Sequence, residues 1–161
     1  MLTLRLTPAT ASDLDWLTEL FLITMQPTTT AARGAWNPQR EEAQFRAQLR
    51  LADTKMILIR HDKVGFITVV PISPGRNEVH TLCVKTDLQG AGIGTRVLRE
   101  LMSAARAGEV IELSVLKTNN RAQVLYERLG FEITSTTEYH RRMRWVSSGR
   151  AEINPNDPYP H

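Results

Sequence analysis

The chain has one cysteine, Cys83. That excludes an intramolecular disulfide and any multi-cysteine metal site, and no metal is expected. On a short apolar stretch Cys83 reads as a small core residue, not as a nucleophile. No apolar run approaches the ~20 residues that span a bilayer. The N-terminal segment MLTLRLTPATASD lacks the basic region and long apolar stretch of a secretion signal. A cytoplasmic protein with no membrane partner is therefore expected. Lysine is scarce, with four against sixteen arginines. The net charge of +3 suits an anionic ligand. The basic residues are dispersed, and only Arg141, Arg142 and Arg144 cluster. With no helix-turn-helix, zinc or aromatic–basic motif, no nucleic-acid partner is expected. There is no internal repeat. At 161 residues the chain makes one domain with a full core.

What is present centres on Val79–Leu98, VHTLCVKTDLQGAGIGTRVL. Val79 to Val84 is short, apolar and β-branched, as a buried strand is. Gln89, Gly90, Ala91, Gly92, Ile93 and Gly94 follow, and then an amphipathic helical run through Arg106. Three glycines in five residues let a backbone approach a ligand closely. The helix that starts there aims its free N–H groups and positive dipole end into the same turn. This is an anion site suited to phosphate or pyrophosphate. It is not a P-loop, because Thr95 and no lysine follows Gly94, and the glycines do not fit a dinucleotide fingerprint.

The rest reads in order. Leu2, Leu4 and Leu6 alternate with polar residues as a half-buried strand. Ser12, with Asp15 three residues on, is expected to cap a first helix bearing Leu14, Leu17, Leu20, Phe21 and Thr24 on one face. That helix is predicted to end before Pro27. Residues 26–37 are then a polar link, and Asn37 caps a second helix with Pro38 at its first position. Lys55–Arg60 and Val64–Val70 are strands joined by a His61–Lys63 turn, with a further turn over Pro71–Gly75. The helix after the glycines is closed by Gly108. Val110–Leu116 is a strand, residues 119–129 a helix opened by Thr118 or Asn119, and Phe131–Ser135 and Tyr139–Val146 the last strands. The order is β-α-α-β-β-β-α-β-α-β-β. Residues 1–146 form the domain, and 147–161 a polar, proline-rich tail with no periodicity.

Two motifs carry a resemblance. Gln89–Gly94 matches Q/R-x-x-G-x-G/A. Leu113–Phe131 supplies a strand, Asn119, Ala122 three residues later, Tyr126, and a closing Gly130–Phe131. Together, in that order, they resemble the two halves of the cofactor site in the GNAT acyltransferase superfamily, over Leu4 to about Val146. The resemblance implies an α/β (α+β) fold: a mixed, mostly antiparallel sheet of about seven strands, splayed at the central pair and flanked by about four helices. It implies an enzyme that transfers acetyl from acetyl-CoA to a primary amine by direct attack, the amine belonging to a small molecule or a protein.

On this resemblance, backbone groups of Leu82, Cys83 and Val84 pair with the pantetheine arm as a false strand. The N–H groups of Gln89, Gly90, Ala91, Gly92, Ile93, Gly94 and Thr95 hold the pyrophosphate. Asn119 and Ala122 flank the arm, and Tyr126 is the general acid for the departing thiolate. Glu78 and His80, two apart on the central strand, are the candidate bases, unless a bulge breaks their shared face. Glu112 and Ser114 on the next strand rank below them. Arg33, Trp36 and Tyr139 border the acceptor, with Arg141 and Arg142 as further anion binders. A second copy of the chain is a candidate partner. The rival readings are a non-catalytic acyl-CoA sensor on the same fold and a basic nucleic-acid-binding domain.

Overall fold

The computed structural model describes residues 3–149. Leu2 and the tail from residue 150 lie outside the described residues. Seven strands, β1 (Leu4–Pro8), β2 (Thr54–Ile59), β3 (Asp62–Ser73), β4 (Arg76–Val84), β5 (Val110–Leu116), β6 (Glu132–Thr136) and β7 (His140–Val146), form one sheet. Their spatial order is β1-β2-β3-β4-β5-β7-β6. Every neighbouring pair is antiparallel except β4 and β5. Those two pair only from Arg76↔Val110 to Val79↔Leu113 and then part. The expected splay at the central pair is therefore present, with four helices: α1 (Leu14–Arg33), α2 (Pro38–Gln48), α3 (Ile93–Ser103) and α4 (Asn120–Arg128).

Alternation along the strands builds two cores. Met56, Phe66 and Cys83 join Leu17, Leu20 and Phe45 on the α1/α2 face. Ile57, Ile67, Leu113 and Met143 join Val97, Leu98 and Tyr126 on the α3/α4 face. Residues one apart on a strand thus feed opposite faces, as the pleat requires. No helix among the described residues is long and apolar enough to cross a membrane.

The first helix does not stop at Pro27 but runs on to Arg33, where Gly34, at φ 74, ends it in the left-handed region. Proline in a helix interior removes one hydrogen bond and crowds the carbonyl four residues back. Tertiary contacts offset that cost. The Thr118 hydroxyl donates to the Thr28 carbonyl at 2.6 Å, and the Arg33 guanidinium sits over the Tyr139 ring at 5.1 Å. The link of residues 26–37 is thereby reduced to Gly34–Asn37.

Smaller differences have local causes. The capping residue is Thr10, not Ser12: its N–H donates to Asp13 Oδ2 at 2.8 Å, opening a 3-10 turn ahead of α1. The β2–β3 turn is Arg60–His61, so Asp62 and Lys63 belong to β3. That strand runs through Pro71, which lies past the end of the β2 pairing at Thr68 and pairs only with Asn77 of β4, beside a register irregularity where a proline is tolerated. α3 ends at Ser103, short of Arg106, and Gly108 instead donates to the Ser147 carbonyl at 2.8 Å. Ser147, at the start of the expected tail, also bonds the Ala105 carbonyl through its hydroxyl, at 3.1 Å.

Asp13 has a measurable consequence. The Lys63 ammonium at 2.7 Å and the Thr10 N–H hold its carboxyl below the ordinary value of 3.8. A depressed carboxylate stabilises the fold above its unfolded pKa, and that stability is lost as pH falls through the folded pKa. Asp13→Ala is expected to cost about 1–2 kcal/mol at pH 7, mostly from the lost cap, since Lys63 is half-exposed and screened. Thermal melts should show this gap closing as the pH drops below 3.8.

Candidate active site

After β4 the chain makes a 3-10 turn over Thr86–Leu88. The Gln89 side-chain amide then donates back to the Val84 carbonyl at 3.1 Å, tying the loop to the strand end. Gly90 and Gly92 take φ of 81 and 84, a region closed to β-branched residues. Gly92 caps α3, and the first helical bond runs from the Arg96 N–H to the Gly92 carbonyl at 3.0 Å. Among the described residues, the N–H groups of Gly90, Ala91, Gly92, Ile93, Gly94 and Thr95 have no backbone acceptor. Six amides at one helix N-terminus form an anion cradle. Gln89 is the exception in the expected set, since its N–H reaches the Thr86 carbonyl at 3.4 Å. Arg121, in the first turn of α4, points its guanidinium here: a β-carbon on Gly90 would lie 3.9 Å from Nη1. Sequence reasoning passed over Arg121 because only the packing of α4 beside the loop brings it there.

Where β4 and β5 part, a cavity of about 430 Å³ opens between them. The consecutive residues Glu78, Val79, His80, Thr81 and Leu82 all line it. A flat strand would send alternate side chains to opposite faces. Here the register with β3 slips between Thr68↔Thr81 and Val69↔Val79, leaving His80 as a bulge. The bulge and the splay together turn the whole run toward the cavity. Leu113, Ser114, Val115 and Leu116 of β5, and Asn119, Ala122 and Tyr126 from α4 and its approach, form the facing wall.

Glu78 and His80 stay together despite the bulge, with Oε1 and Nε2 3.5 Å apart. Glu78 Oε2 accepts from Arg142 Nη2 at 3.2 Å. Arg142 also reaches Glu112 and Ser114, while Arg141 donates to Gln123. Both arginines thus have partners within the protein, Arg142 the more fully.

Asn119 caps α4, its Oδ1 accepting from the Ala122 N–H at 3.2 Å. That bond is the physical reason for the three-residue spacing. The cap occupies the side-chain oxygen and leaves the amide NH2 to donate. Tyr126 is buried against Phe131, with ring centroids 5.9 Å apart. Among the described residues its hydroxyl has no hydrogen-bond partner. Burial, and secondarily the Cys83 thiol, push its pKa up to about 12, so it stays protonated across the working range. Burial also pushes Cys83 to about 12, and Thr24 donates to its sulfur at 3.2 Å. Cys83 is therefore an inert core thiol. Cys83, Val84 and the glycine loop do not line the cavity; they follow its β4 wall along the chain.

On the opposite side Arg33 lines the cavity from the end of α1, resting on Tyr139. Tyr139 supports Arg33 from outside the cavity wall, and Trp36 is not among the wall residues. His140 was missed by sequence reasoning. It lines the cavity, and desolvation and the Arg33 charge hold its imidazole below the ordinary 6.5, hence neutral at pH 7. Glu41, Gln44 and Gln48 of α2 were missed too. Their spacing of three and four residues was the available signal of one polar helix face.

The model of the Acetyltransferase (GNAT) family matches residues 17–131. Over 85 residues the chain is 36% identical to the N-alpha-acetyltransferase RimI of Mycobacterium tuberculosis, a match covering 53% of each protein. The chain thus spans about half the length of that curated relative. The structure is similar to that of the PaiA N-acetyltransferase of Thermoplasma acidophilum in complex with coenzyme A, at TM-score 0.68 and 17% identity, covering 89% of this chain and 99% of that one. It is also similar to the ribosomal-protein-S18-alanine N-acetyltransferase of Escherichia coli, at TM-score 0.64 and 17% identity, covering 94% and 98%. With the family model spanning both the glycine loop and the Asn119–Phe131 motif, on a sheet splayed between β4 and β5, the chain belongs to the GNAT acetyltransferase family.

Proposed function

We propose that this protein transfers an acetyl group from acetyl-CoA to a primary amine by direct attack in a ternary complex. One observation carries the reading. The six-amide anion cradle directly follows the strand whose unpaired stretch walls a cavity holding an acid–base cluster. The coenzyme fits that arrangement. Gly90 to Thr95, with Arg121, would hold its pyrophosphate. The free edge of β4 at Leu82–Val84 would take its arm as an added strand. The Asn119 NH2 would donate to that arm, and Ala122 leaves it room.

When bound, the thioester supplies an electrophilic carbonyl and a sulfur leaving group. The chain's own residues do the rest. The Glu78 carboxylate, with His80 beside it, accepts the proton that the attacking amine gives up, directly or through a water. Tyr126 aims a protonated phenol into the cavity. Its pKa of about 12 lies well above that of a free thiol, about 8.5. Tyr126 therefore acts chiefly by donating a hydrogen bond to the sulfur as charge builds there.

The N-alpha-acetyltransferase activity named for the Mycobacterium tuberculosis relative supports a protein α-amino group as a candidate acceptor beside small-molecule amines. A screen of free thiol release with acetyl-CoA and chemically varied amines, peptides included, tests the reading. Acetyl-CoA binding with no turnover on any of them would leave the sensor alternative standing. A cytoplasmic location remains part of this proposal.

Arg33 would bind an anionic group on the acceptor. Arg33→Ala is expected to raise the KM of a carboxylate-bearing amine about tenfold or more and leave that of acetyl-CoA unchanged. Trp36→Ala, outside the wall, should leave both near parental values. An unchanged acceptor KM in Arg33→Ala would remove Arg33 from the site.

A further inference from the structure

Glu78 and Glu112 are direct neighbours across the β4–β5 seam, one register before the strands part. Like charges so placed repel. Arg142 lies on β7, which pairs with β5 and not with β4. Its guanidinium nevertheless crosses β5. Nη2 donates to Glu78 Oε2 at 3.2 Å and to Glu112 Oε2 at 3.4 Å, and Nη1 donates to Ser114 Oγ at 3.3 Å. Arg76 binds both oxygens of Glu112 from the other side, at 2.9 and 3.0 Å. Glu112 is thus already neutralised by Arg76. Glu78 has no other arginine or lysine partner among the described residues.

We propose that Arg142 is a positioning residue for acetyl transfer. It pins one oxygen of Glu78 so that the other, Oε1, faces His80 and the incoming amine. Arg142 does not line the cavity, so it acts through Glu78 and not on the substrate. The fork geometry matters, since one guanidinium satisfies partners on two strands at fixed angles, whereas an ammonium is a single point charge. Without Arg142 the Glu78 carboxylate is free to swing, and an error of about 1 Å at a reacting group costs up to about 100-fold in rate. The inference rests on Glu78 being the proton acceptor.

The test uses the full chain, acetyl-CoA and an amine that it turns over. Arg142→Ala is expected to lower kcat about 10- to 100-fold while leaving the acetyl-CoA KM and the thermal shift caused by CoA at parental values. Added methylguanidinium should restore part of the rate, and Arg142→Lys should recover only part of it. Glu78→Gln should lose activity to a similar degree. The double variant should then be no worse than Glu78→Gln alone, because the two act through one carboxylate. Full kcat in Arg142→Ala beside an impaired Glu78→Gln overturns the proposal alone. Full kcat in Glu78→Gln overturns the proton-acceptor reading, and this proposal with it. A rate loss matched by a lost CoA shift marks a structural role and also overturns it. Should Arg142→Ala fail to fold, Arg142→Gln and Arg142→Lys carry the same comparison.

Discussion

Gly92→Val is expected to remove most of the thermal stabilisation that acetyl-CoA gives this protein. A ligand that binds only the folded state stabilises it by about 4 kcal/mol at a thousand times its Kd. For a chain of this size that is a rise in Tm of about 8–16 °C. Gly92 sits at φ 84, and a β-branched side chain is strained there by about 1–2 kcal/mol. The valine must either keep that strain or rotate the loop, and rotation turns the amides away from the phosphates. Two lost charge-assisted hydrogen bonds correspond to a Kd at least about a hundredfold weaker. At the same ligand concentration only about a third of the shift should survive. Gly92 is half-buried and belongs to neither core, so the variant's own melt should fall by a few degrees and stay cooperative. Differential scanning fluorimetry with and without acetyl-CoA reads both quantities, and a parental shift would remove the loop from the cofactor site.

Tyr126→Phe should be the opposite kind of variant, slow but at least as stable as the parent. Tyr126 lines the cavity and its hydroxyl has no hydrogen-bond partner among the described residues, so deleting the hydroxyl breaks no bond and opens no large void. The ring stays packed on Phe131. Turnover should fall about 100-fold, the usual cost of one preorganised donor at a site of developing charge, with little change in the acetyl-CoA KM. Because the phenol pKa is pushed up to about 12, the parent's pH–rate profile should show no alkaline fall from this group up to about pH 11. A parental kcat in the variant, with chemistry limiting, would take Tyr126 out of the reaction.

How readable each part was in the sequence follows from how local its cause is. The strand, the loop and α3 were readable because glycines at fixed spacing and a short apolar run decide them within twenty residues. The Asn119–Ala122 pair was readable because a helix cap is a local bond. Pro27 misled because the local cost of a proline is real, while the contacts that outweigh it come from Thr118 and Tyr139, about ninety residues away or more. His140 and Arg121 were invisible because each gains its place from the packing of another element. Arg141 and Arg142 were read as anion binders from their clustering alone. Only the strand order β5-β7 shows that Arg142 reaches Glu78 and Glu112.

The parallel pair of β4 and β5 has one more consequence. Seven strands are joined there by only four register pairs, Arg76↔Val110 to Val79↔Leu113. The sheet is thus two antiparallel ribbons, β1–β4 and β5–β7–β6, each contiguous along the chain and each zipped over its own length. Such ribbons can form early from nearby segments, while the seam waits for α3 to bring its two sides together. In the finished protein few backbone bonds resist opening along this central seam. Anything lying in the gap as an extra strand would act as the missing rungs, joining two ribbons that the polypeptide itself leaves half fastened.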